Sequence, residues 1–106
     1  MYLSDYDVLM NSGIIYHAVN NSLVALRYYT ASIYISPTYP KPYYNKGNLY
    51  LDGHAYQKAL RCFTKAISLK HDYNDAYFNR GTGKSVTIQV LTRSISFLGR
   101  KPRGNC

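Results

Sequence analysis

The run Gly81-Thr82-Gly83-Lys84-Ser85 has residue types that could cradle a phosphate: small residues that bare backbone amides, then a lysine and a hydroxyl. The full phosphate-loop pattern also needs a glycine five residues before Gly83 and a strand leading into the loop. Phe78 holds that place and a helical segment precedes the run, so nucleotide binding is disfavoured. His17, His54, His71 and Cys62 could donate to a metal, but their spacing matches no zinc pattern. His54 reads instead as a turn residue and His71 as a helix-end residue, where partial positive charge is favoured. The five aspartates are isolated and there is no glutamate, so no acid pair is set up for proton transfer. No serine stands in a nucleophile elbow. The expectation is a chain with no catalytic residues, no metal and no cofactor.

The elements that carry these residues read as helices. Residues 6–18 space Leu9, Ile14 and Tyr16 among polar residues, with Asp5 expected as the N-cap and Asp7 in the first turn. Asn20, Asn21 and Ser22 supply a turn and a second cap. Residues 22–35 place Leu23, Leu26, Tyr29 or Thr30, and Ile33 at helical spacing, and Pro37 and Pro40 end that helix. Residues 40–73 read as two further short helices joined by a turn.

Laying the chain over itself with Asn11 on Asn45 shows why these pieces recur. In that register Asn11, Gly13, Tyr16, Ala25, Leu26, Arg27, Thr30, Ile33 and Tyr39 meet identical residues at 45, 47, 50, 59, 60, 61, 64, 67 and 73. A second shift of the same size sets Tyr43, Asn45 and Gly47 on Tyr77, Asn79 and Gly81. A fixed period of this length marks stacked helical hairpins. The pattern resembles the tetratricopeptide repeat family, whose first helix carries a bulky residue, Leu-Gly and Tyr. Its second helix carries Ala, an aromatic and Ala, and Pro ends the repeat. Residues 40–73 fill these places with Tyr43, Lys46-Gly47, Tyr50, Ala59, Phe63, Ala66 and His71. Residues 6–39 fill them with Leu9, Ser12-Gly13, Tyr16, Ala25, Tyr29, Ser32 and Pro37.

The resemblance implies an all-α fold, helix-turn-helix repeats stacked as a short right-handed α-solenoid, with a divergent C-terminal tail. Repeats would span 6–39 and 40–73, residues 74–82 would start an incomplete third, and 83–106 would form the tail. Gly13, Tyr16, Ala25, Tyr29, Gly47, Tyr50, Ala59, Phe63 and Gly81 become structural repeat positions. First helices would line a concave side, where Met10, Asn11, Ile14, Tyr44, Asn45, Asn48, Phe78 and Asn79 are the partner-binding candidates. The asparagines at 11, 45 and 79 form a ladder able to donate to and accept from an extended peptide. The function implied is a protein-interaction module or scaffold that binds a partner peptide or helix. Some co-chaperones of the family hold an acidic C-terminus with two lysines, two asparagines and an arginine. Those places hold Met10, Ile14, Asn45, Asp75 and Asn79, of which only Asn45 matches, so carboxylate clamping is disfavoured.

Charge supports a second class. The net charge is +8, and residues 84–106 carry five of the thirteen cations with no acid, so the basic character is concentrated at the tail. Thirteen tyrosines and that tail could engage RNA or another anionic polymer. A truncated form of a longer array with little independent function is the third reading. Two cysteines make no disulfide framework: Cys62 reads as a small buried hydrophobe and Cys106 as a free terminal thiol, so a reducing, intracellular and cytoplasmic setting is expected. The start shows no signal-peptide pattern, and no apolar run is long enough to span a membrane. Residues 84–98 fit a helix, a strand or no fixed structure, and are expected to cap the second repeat.

Overall fold

The computed structural model describes residues 3–83. Four helices follow in order: α1 (Asp5–Ala18), α2 (Ser22–Ile35), α3 (Pro40–Asp52) and α4 (Tyr56–Leu69). A fifth, α5, is helical over 74–83. Among the described residues there is no strand. The expected form of residues 84–98, their capping role and the tail fall outside the described residues.

Each boundary has a local cause. Ser4, not Asp5, is the N-cap residue of α1. Asp5 and Asp7 both sit in the first helical turn, where unpaired amides favour carboxylates. Asn21 caps α2, its side chain accepting from the Val24 amide at 3.4 Å. Pro40 does not merely end the preceding helix; it opens α3 at a first-turn position where no amide hydrogen is needed. The two hairpin turns close alike. Asn20 (φ 64°) and His54 (φ 62°), one repeat period apart, both adopt the left-handed conformation. The next amide in each case returns to the last helical turn, Asn21 to the Tyr16 carbonyl at 2.9 Å and Ala55 to the Tyr50 carbonyl at 2.8 Å.

Within each hairpin a glycine lets the helices meet. A Cβ on Gly13 would lie 2.5 Å from the Tyr29 ring, and one on Gly47 would lie 2.6 Å from the Phe63 ring. Ala25, Ala59 and Phe63 are wholly buried, and Tyr29 almost so. Tyr16 and Tyr50 are half-buried. Gly81 departs from this scheme: among the described residues nothing lies within 4 Å of where its Cβ would be, so no helix crosses it.

Neighbouring hairpins complete each other. α3 packs on α2 and touches α1. Met10, Ala25 and Tyr29 share one apolar cluster with Leu49 of α3. Ala59, Phe63, Ala66 and Ile67 share a second with Ala76 of α5. An isolated hairpin leaves an apolar face bare, and the next segment covers it.

Three positions depart from a plain apolar core. Ser32 stands where the second hairpin has Ala66, and its buried hydroxyl donates to the Tyr6 carbonyl at 2.8 Å. Lys46, at the family's leucine place, is buried, and burial lowers its ammonium pKa. Cys62 is fully buried and disulfide-bonded. The burial is as expected of Cys62; the disulfide bond is not, and it takes away the free-thiol basis for expecting a reducing compartment. Cys106 lies outside the described residues.

Candidate functional site

The first helices α1, α3 and α5 carry matching places at intervals of one repeat period, and their shared face holds a groove of about 310 Å³. Met10, Asn11 and Ile14 line it from α1, Lys41, Tyr44 and Asn45 from α3, and Tyr73 and Asp75 from the entry to α5. Five of the eight partner-binding candidates therefore converge: Met10, Asn11, Ile14, Tyr44 and Asn45.

Their exposure separates floor from rim. Met10 is only 4% exposed and belongs to the core cluster, so it forms floor rather than a free contact. Ile14 is 43% exposed and Asn11 is exposed, while Asn45 is half-buried. Phe78, at 75% exposed, is not among the groove-lining residues and stands clear on α5.

The asparagine ladder divides. Asn79 Nδ2 donates to Asn48 Oδ1 at 2.7 Å and to the Tyr44 hydroxyl at 3.1 Å. These three side chains tie α5 to α3 and are committed to packing. Asn11 and Asn45 line the groove with amides that make no side-chain hydrogen bond among the described residues. Tyr44 is further held by Tyr73 and Phe63, with ring centroids 4.9 and 5.9 Å away. Burial, with Tyr44 and Asp75 beside it, pushes the Tyr73 hydroxyl up to about 12. That phenol is a neutral hydrogen-bonding group at ordinary pH.

Two other side chains of α1, Asp7 and His17, tie it to later segments. Asp7 accepts from the Ser4 hydroxyl and from the Tyr39 hydroxyl, both at 2.7 Å. Those bonds, Ser4's first and then Tyr39's, hold its carboxyl below the usual carboxylate range. Burial and then Asp7 push the Tyr39 hydroxyl well up. His17 Nε2 meets Asp52 Oδ2 at 2.8 Å, pinning the end of α1 to the end of α3. Nothing in the sequence marks that pair, which stand far apart along the chain. Tyr73 lines the groove and was signalled only as the counterpart of Tyr39 in the repeat.

Other chemistry finds little support in this geometry. Gly81, Thr82 and Gly83 are helical, which is not the conformation of a phosphate-cradling loop. Among the described residues no three of His, Cys, Asp and Glu gather as metal donors. Four tyrosine rings already carry a cation of the same chain. Lys58 lies 5.5 Å from Tyr50, Lys65 6.0 Å from Tyr43, Lys70 5.1 Å from Tyr73 and Arg80 5.2 Å from Tyr77. No described helix is long and apolar enough to cross a membrane.

Comparison with known proteins gives a consistent fold. The tetratricopeptide repeat model matches residues 40–73. Among solved structures the chain is similar to the Arabidopsis OM64 TPR domain, with a TM-score of 0.75 at 19% identity, over 91% of this chain and 84% of that one. At that identity the likeness is one of fold. No curated protein matches the chain in sequence.

Proposed function

From the premise that residues 40–73 are a tetratricopeptide repeat, in a chain with the fold of a tetratricopeptide domain, we propose a protein-interaction module without catalytic activity. Its concave first-helix face takes a helix or an extended peptide. The observation that carries this reading is the groove in which Asn11, Ile14, Lys41, Asn45 and Asp75 come together from three helices. Two uncommitted amides offer both donors and acceptors to a peptide backbone. Ile14 in the groove and Phe78 on α5 offer exposed apolar area to side chains.

The charge of the groove argues against an acidic C-terminus as the occupant. Lys41 is the only cation lining it among the described residues, and Asp75 stands among the same residues. A carboxylate would gain one cation and meet one anion, which leaves little net attraction. A partner with mixed or neutral polarity fits better.

The test is affinity capture from a cell extract with the full chain and with an Asn11→Ala/Asn45→Ala/Phe78→Ala variant whose circular dichroism is unchanged. The variant is expected to lose the proteins held by the wild type. Retention of the same proteins would sink the groove reading. Capture of RNA with a steep loss between low and physiological salt would favour the anionic-polymer reading instead.

A further inference from the structure

We infer that the groove selects its occupant by charge: an extended peptide with a cation, an acid and a cation at every third place, the acid facing Lys41 and the cations facing Asp7 and Asp75. This rests on the groove reading above and adds to it which peptide enters. Asp7, Lys41 and Asp75 hold the same repeat place in the first turns of α1, α3 and α5. The helices bring them level. Tyr39, before the head of α3, donates to Asp7 near the head of α1, and Asp52 at the end of α3 meets His17 near the end of α1. α1 and α3 therefore run side by side in one direction. Asn79 of α5 reaches Tyr44 and Asn48 of α3. The helix starts thus present negative, positive and negative charge in turn.

These charges are open to a partner. Lys41 and Asp75 line the groove, are exposed, and make no ion pair among the described residues. Asp7 accepts from Ser4 and Tyr39, bonds that keep its carboxyl ionised and leave it further lone pairs. The neighbouring charges keep the alternation. Asp5, exposed at the head of α1, adds to Asp7, and α1 carries no lysine or arginine. Asp72, exposed just before α5, adds to Asp75. Lys70 and His71 precede it, Lys70 lying over the Tyr73 ring at 5.1 Å, and neither is among the groove-lining residues. Lys46 is buried and His17 is paired at the far end. The whole chain carries +8, yet this face does not share that excess.

The spacing fixes the form of the peptide. Packed helices stand about 8–10 Å apart. A polyproline-type extended chain turns once in about three residues and rises about 3.1 Å per residue, so side chains on one side recur about every 9 Å. A β-strand repeats its face about every 7 Å and falls out of step. A helix keeps its backbone groups to itself, whereas the polyproline form leaves them unbonded for the Asn11 and Asn45 amides.

The experiment is selection of a displayed library of random short peptides on the full chain, followed by fluorescence anisotropy at low salt. The wild type is expected to enrich an acid flanked by cations three residues away on either side. Lys41→Glu, with circular dichroism unchanged, is expected to bind such a peptide at least about tenfold more weakly, and exchanging the peptide's acid for lysine is expected to restore it. Arg61→Glu makes the same change of charge at an exposed place on α4 and is expected to leave binding intact. Peptides that need Asn11 and Asn45 but lack this charge spacing, or bind Lys41→Glu as well as the wild type, overturn the charge selection and leave the groove reading standing. Equal weakening by Arg61→Glu does the same, net charge then being responsible. No enrichment, or peptides indifferent to Asn11→Ala/Asn45→Ala, overturns both.

Discussion

The two hairpins share a backbone plan and differ in nearly everything on their outside. Both close through a left-handed residue, at Asn20 and His54, and both cross at a glycine under an aromatic ring. Yet residues 6–39 carry one cation and one acid, while residues 40–73 carry six cations and two acids. Seven large apolar residues are exposed between residues 6 and 39: Val8, Ile14, Ile15, Val19, Leu23, Tyr34 and Ile35. None is exposed between 40 and 73. α4 is strongly amphipathic and α1 has no marked apolar stripe facing one way. A helix apolar on several sides is made to be covered on several sides. The crossing residues specify the hairpin, and the surface residues specify what lies against it.

The hardest way to break this likeness is at the crossings. Gly47→Val forces a branched side chain onto the buried Phe63 ring and is expected to cost about 3 kcal/mol. Gly81→Ala on α5, where no described residue crosses it, is expected to gain about 0.5–1 kcal/mol from helix propensity. Urea unfolding of both variants measures the contrast. Equal losses at the two sites would mean that Gly81 is crossed as Gly47 is.

Lys46 sharpens the comparison from inside. Lys46→Leu is expected to stabilise the chain by about 1–2 kcal/mol at neutral pH, by removing a buried ammonium. Because the folded-state pKa is lowered, the unfolded chain binds more protons between that value and the usual 10.5. Wild-type stability from this group therefore rises as pH increases through that window, and the advantage of Lys46→Leu shrinks. Denaturation series at neutral and alkaline pH would show it, and an advantage that grows with pH would contradict it.

The smallest expected effect separates the two turns. His54 has a Cβ in a left-handed conformation and is of a type that tolerates it less readily than asparagine. His54→Gly is expected to gain about 1 kcal/mol, and Asn20→Gly less. Thermal melts rank the pair, and the reverse order would refute the strain assigned to His54.

Much of the architecture was legible because period and residue type agreed: a helical hairpin recurring at one fixed interval, with glycine, alanine and an aromatic at each crossing. Helix ends were legible to within a residue where a proline or asparagine stood there. The groove was legible as a face but not as a surface. Position along a helix says which side Met10 is on, not that Leu49 from the next hairpin closes over it. Asn48 and Asn79 looked like free contact residues, and only the rotation of α5 against α3 commits them to one another. The His17–Asp52 contact depends in the same way on how separate helices sit, which no local pattern encodes.

Leu49 in the first cluster and Ala76 in the second impose an order in time. As the chain emerges from a ribosome, α1 and α2 can pair before their core is whole, and they wait for Leu49 to seal it. By then α3 is half made and has its own mate still to come. Each hairpin is thus completed by the segment synthesised after it, so folding trails synthesis by a fixed lag and advances as a front from the N-terminus. A nascent chain stalled between Ile35 and Leu49 would present an unsealed face to whatever is nearest.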